Sequence, residues 1–97
     1  MTAEQLEGEF RDRGIARGGV LFLRNADAAA LIQRAQDARL RVLEVDGFIL
    51  GDRSTQPSME HSIDLTSNPY AGDPWTAAHE FLKQQLGRDL YFEVVLE

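Results

Sequence analysis

The chain has no cysteine, only three prolines, two histidines, and a single lysine beside nine arginines in 97 residues. Without cysteine, neither a disulfide nor a thiolate metal site can staple the fold, so stability must come from a packed core; a reducing compartment such as the cytosol suits such a chain. No window approaches the ~20 consecutive apolar residues of a membrane-spanning helix. The opening Met-Thr-Ala-Glu-Gln-Leu-Glu has neither the basic region nor the apolar run of a secretory leader. The expectation is a cytoplasmic protein that is not anchored to a membrane. With 43% apolar and 27% charged residues, the composition is that of one globular domain over 1–97 rather than of a disordered chain.

Charge of one sign is scarce in the second half. From residue 54 onward, seven carboxylates face two cations, Lys83 and Arg88, a local charge of −5, whereas residues 1–53 hold nine carboxylates and eight arginines, a charge of −1. A small domain with one acidic half attracts basic partners and repels nucleic acid and anionic lipid. Arg34, Arg39 and Arg41 lack interleaved aromatic residues on which bases would stack, so direct nucleic-acid binding is disfavoured. The charge points to a protein partner.

Patterning along the chain gives the elements. Thr2 and Gln5 form a capping box for a helix over about 2–13, with Leu6 and Phe10 at helical spacing. After the glycines at 14, 18 and 19, residues 20–23 form a short apolar run that suits a buried strand. Asn25 or Asp27 can cap a second helix whose stripe is Ala28, Leu31, Ile32, Ala35 and Ala38. Residues 40–45 read as a central strand, and the Asp46-Gly47 pair after it fits either a two-residue hairpin turn or, the reading taken here, a bulge within a longer strand that continues to 48–50. Residues 51–59 have loop composition, and His61, Ile63 and Leu65 then alternate with Ser62, Asp64 and Thr66 as a strand with one wet face. Asp73-Pro74 starts a last helix that runs to about Leu86 with a buried stripe of Trp75, Ala78, Phe81, Leu82 and Leu86, and 90–96 alternate as a final strand. The order predicts an α+β fold of the split βαβ kind: one antiparallel four-stranded sheet, two helices on one face and an added N-terminal helix, with the first and last strands near the centre.

A search for chemistry finds no catalytic constellation and no cofactor motif. His61 lies on the apolar parity of its strand, away from Asp64, which marks it as a core histidine with satisfied nitrogens. His79 lacks a second histidine four residues on, where Lys83 stands, and reads as solvated helix surface. Ser54, Ser58 and Ser62 cluster near His61 without the strand-turn-helix elbow of a nucleophilic serine. Asp46, Asp52, Glu60 and Asp64 match no compact calcium loop, which leaves a solvated acidic face and no metal.

The segment Gln56 to Thr66, followed by Trp75, Phe81-Leu82 and the closing Tyr91 to Leu96, resembles small bacterial immunity proteins of colicin and contact-dependent-inhibition toxin systems. The helix leading into Leu40-Arg41-Val42-Leu43-Glu44-Val45-Asp46-Gly47 resembles the corresponding segment of colicin-type immunity proteins against anticodon nucleases, so the likeness covers about 28–97. It implies a non-enzymatic protein that binds a cognate toxin, a nuclease domain, and blocks it by laying acidic groups into a basic cleft. The expected toxin-binding residues combine acids with turn chemistry: Asp46, Asp52, Glu60, Asp64, Tyr70 and Asp73. The alternatives are a small metal-dependent enzyme built on His61 with Glu60 or Asp64, and a homo-oligomeric structural subunit.

Overall fold

The computed structural model describes residues 1–66 and 73–97. α1 (Ala3–Phe10) opens with the expected reciprocal box: the Thr2 hydroxyl accepts from the Gln5 N–H at 3.1 Å, and the Gln5 side chain accepts from the Thr2 N–H at 2.9 Å. A 3-10 turn over Arg11–Arg13 leads to a hairpin of β1 (Ile15–Arg17) and β2 (Val20–Phe22). Gly18 and Gly19 both hold positive φ, 57° and 82°, which is what a two-residue hairpin of right-handed strand twist requires of its central pair. The three residues of β1 are too few to show an alternation, so the sequence reads them as turn.

α2 (Asn25–Asp37) starts without a side-chain cap; Asn25 is already helical, and its amide instead donates to the Leu82 carbonyl at 2.8 Å, tying α2 to α3 (Pro74–Gln84). Four of the five expected stripe residues are buried, Ala28, Leu31, Ile32 and Ala35; Ala38 is the C-cap, beyond the last helical residue, and is only half-buried. α3 begins as predicted, with Asp73 accepting from the Thr76 N–H at 2.6 Å and Pro74 in the first turn, but it ends at Gln84, so Leu86 lies past the helical phase and is 66% exposed instead of joining the buried stripe.

The remaining strands, β3 (Val42–Leu50), β4 (Thr55–Asp64) and β5 (Tyr91–Leu96), form an antiparallel sheet in the order β4-β3-β5. The fold is α+β, but the expected single four-stranded sheet is divided in two. β2 pairs with β1, and only Leu23, the residue beyond it, bridges to Phe92 of β5 through two backbone hydrogen bonds of 2.9 and 2.7 Å. The reason is local: the Gly18-Gly19 turn supplies β2 with a partner on one side, and α2 starts too soon after Leu23 for a longer ladder to form on the other. The centre of the three-stranded sheet is β3 rather than the first and last strands. β4 also begins earlier than the sequence indicates, because Thr55 to Ser58 lie on an edge and are mostly exposed, so no apolar parity marks them.

Register decides which side chains reach the core. Val42 pairs with Leu96 and Glu44 with Val95, so Leu43 is an extra residue in β3. That bulge lets Val42 and Val45, an odd number apart, both turn inward, where they are completely buried with Phe92, Val94 and Leu96 under the three helices. Phe81 meets Phe92 edge to face, centroids 6.3 Å apart, and the half-buried Trp75 donates its indole N–H to the Leu40 carbonyl at 2.8 Å. Phe92→Ala should therefore lower stability by about 3–5 kcal/mol, read as a fall in the denaturant midpoint without a change of slope; an unchanged midpoint would overturn its placement in the core.

Candidate functional site

The sheet face turned away from the helices is only partly covered. The β1–β2 hairpin reaches across one end, where Arg17 donates to the Gly51 and Ser54 carbonyls at 2.7 and 2.8 Å and Phe22 packs on Phe48 with centroids 4.9 Å apart. Beyond Phe48 the face is open. Antiparallel register sets Glu44 opposite Asp64, and Asp46 opposite both Ser62 and Glu93, so four carboxylates from three strands share this surface. Beside them is a groove of about 440 Å³ lined by Glu44, Asp46, Phe48, Pro57, Met59 and Asp64 among others.

A second register shift, at Asp46/Gly47, shapes the groove wall. Asp46 pairs with Ser62 but Gly47 pairs with Ser58, so Met59, Glu60 and His61 are looped out of β4. The excursion is held by three contacts: Gly47 N–H to Ser62 Oγ at 3.2 Å, Ser62 Oγ–H to the Ser58 carbonyl at 2.8 Å, and Ser58 Oγ with His61 Nδ1 at 2.7 Å. It also needs glycine, because a Cβ at position 47 would stand 2.5 Å from the His61 carbonyl oxygen. The outcome is that Met59, between the tied residues Ser58 and His61, is 83% exposed.

Electrostatically the face is unneutralised. Among the described residues, no cationic side chain lies within ion-pair distance of Glu44, Asp46, Asp64 or Glu93; Arg24, stacked 3.9 Å from the Tyr91 ring centre, pairs instead with Asp89 at 2.7 Å. Partial burial, followed by the hydrogen bond and charge of Glu44 and the charges of Glu93 and Asp64, pushes the Asp46 carboxyl up to about 6. Burial and then Glu44 and Glu7 also raise Glu93. Asp64 moves the other way, because the Thr66 hydroxyl and backbone N–H, at 2.6 and 2.8 Å, both donate to it.

Of the residues expected from the sequence, Asp46 and Asp64 meet in this groove. Glu60 sits in the looped-out segment and Asp52 in the exposed turn between β3 and β4, each apart from the groove lining. Asp73 is the N-cap of α3, its oxygens occupied by the Thr76 N–H and hydroxyl, and Tyr70 lies outside the described residues. Glu44 and Glu93 were missed. Glu44 shares the parity of Asp46 and was legible in principle, whereas Glu93 joins only through strand pairing.

Both histidines depart from expectation. His61 is half-buried at the excursion rather than in the core, with Ser58 within hydrogen-bond reach. His79 is not solvated surface: it is half-buried, and its Nε2 is enclosed without a hydrogen-bond partner among the described residues. No group of three His, Asp or Glu side chains among the described residues is arranged to hold a metal ion. No protein-family model, curated protein or solved structure matches the chain.

The raised Asp46 pKa fixes a pH dependence. Between 3.8 and about 6 the folded chain holds the Asp46 proton more tightly than the unfolded chain does, so this group subtracts stability as pH rises through that window. Asp46→Asn should thus raise the thermal midpoint over wild type at pH 7 and lose that advantage by pH 4; an advantage equal at both values would contradict the assignment.

Proposed function

We propose that this chain is an immunity-type protein that binds a cognate bacterial toxin, a nuclease domain, and neutralises it through the open face of the β4-β3-β5 sheet. The observation that carries the reading is the set of uncompensated carboxylates, Glu44, Asp46, Asp64 and Glu93, beside exposed Met59. Like charges gathered without a cation lower the stability of the free protein, and a cationic partner would relieve that repulsion on binding. A nuclease fits because its RNA-binding cleft is basic, and carboxylates can take the place of phosphates there. The resemblance of segments within 28–97 to immunity proteins and the −5 charge beyond residue 53 support the same reading. Action in the cytoplasm of the toxin-exposed cell belongs to it, with no catalytic turnover and no cofactor.

One observation favours a catalytic alternative, the 2.7 Å contact of Ser58 Oγ with His61 Nδ1. Against it, the excursion's own contacts occupy the Gly47 N–H with Ser62 Oγ, so that this donor is not free to receive an oxyanion. A homo-oligomer through the β4 edge is discouraged by Pro57 and the looped-out residues, both of which spoil strand addition.

Expressing a nuclease toxin domain encoded beside this chain, with and without it, tests the proposal. Wild type and the folded double variant His61→Gln/His79→Gln should restore growth equally. Asp46→Lys/Asp64→Lys should abolish protection, since placing like charge against a partner costs several kcal/mol. Protection lost in the histidine variant but kept in the lysine variant would replace binding by catalysis.

A further inference from the structure

The groove is amphipathic along its length. Phe48, Pro57 and Met59 form an apolar wall that runs into Glu44, Asp46 and Asp64, and its volume of about 440 Å³ is open to the surface. We infer that it receives a single cationic side chain, arginine or lysine, projecting from the partner protein, with its methylene stem along Phe48, Pro57 and Met59 and its head among Glu44, Asp46 and Asp64. The inference rests on the reading that the toxin docks on this face, and names what the face takes.

Three observations select this occupant. First, charge complementarity: the carboxylates have no cation within ion-pair distance among the described residues, so an anion is repelled and a neutral apolar group would cover charges it cannot satisfy. Second, a divalent ion would leave the apolar wall unused, and the described residues offer no three-ligand cluster. Third, the hydrogen-bonded excursion of β4 presents Met59 83% exposed, which places a flexible, polarisable thioether at the rim where it can adapt to an apolar stem. Long cationic side chains lay their stems on apolar surface and keep the head on polar groups, which is the division this groove presents.

The test uses the isolated protein and small probes, so that its result is independent of any toxin. n-Butylguanidinium, n-butylammonium, bare guanidinium and n-butanol are titrated separately, while the backbone amides of residues 44–48 and 62–64 and the Met59 methyl are followed by NMR. Saturable shifts confined to these signals are expected with n-butylguanidinium or n-butylammonium, about tenfold tighter than with guanidinium or butanol, given the transfer energy of buried methylenes. Asp46→Asn should weaken binding of the charged probes and spare that of butanol, and Met59→Ser should erase the advantage of the stem; Met59 is exposed and Asp46→Asn is nearly isosteric, so the fold should persist in both, checked by unchanged spectra elsewhere. Equal affinity for guanidinium with and without the butyl group, or shifts spread over all surface carboxylates, would overturn the inference. Probe binding without rescue from a toxin leaves the groove assignment standing and removes the immunity reading; rescue without probe binding does the reverse.

Discussion

Everything in this molecule hangs on how β3 is paired. It is the one strand with neighbours on both sides in the three-stranded sheet, and its register shifts against each of them. The extra residue at Leu43, on the β5 side, turns both Val42 and Val45 into the core. The shift at Asp46/Gly47, on the β4 side, leaves Glu44 and Asp46 facing outward opposite Asp64 and Ser62 while three residues of β4 loop away. Side-chain direction alternates with period two, so a slip of one residue in either ladder would exchange the buried valines for carboxylates. Gly47 is the hinge of the arrangement, because the His61 backbone occupies the space of its absent Cβ.

The sheet therefore has two faces with opposite energetics. Under the helices, Phe92, Val94 and Leu96 meet Leu6, Leu31, Ile32 and Leu82 in a continuous apolar core. On the other side, partial burial and then the neighbouring charge of Glu44 raise the proton affinity of Asp46 and of Glu93, which is a cost the free protein carries. The hairpin tied down by Arg17 covers one end of that face and its turn reaches Glu93, while the groove lined by Glu44, Asp46 and Asp64 stays open. Stability resides on one face and the proposed recognition on the other, so a substitution in the groove can change binding without touching the core.

Much of the layout was readable from local chemistry. The Thr2–Gln5 box, the α2 stripe up to Ala35, the Asp73-Pro74 start and the period-two run ending in Leu96 all rest on contacts within a few residues of the chain, and all formed where the pattern placed them. What depends on distant partners was not readable. The first apolar run was assigned to a larger sheet because nothing in 20–23 reveals that Ile15–Arg17 takes up one of its edges. Thr55 to Ser58 looked like loop because an exposed edge strand carries no apolar parity.

The candidate site divides in the same way. Acidity of the second half, the absence of cysteine, and Asp46 and Asp64 as acids beside core positions follow from the sequence itself, since charge and parity are properties of residue order. That these two join Glu44 and Glu93 on one partly covered face, with Met59 raised at the rim, was decided only by the tertiary structure. Glu93 is 47 positions from Asp46 in the chain, and nothing but the antiparallel register of β3 against β5 brings them face to face; Asp73, also a carboxylate, was instead taken by its own helix as a cap.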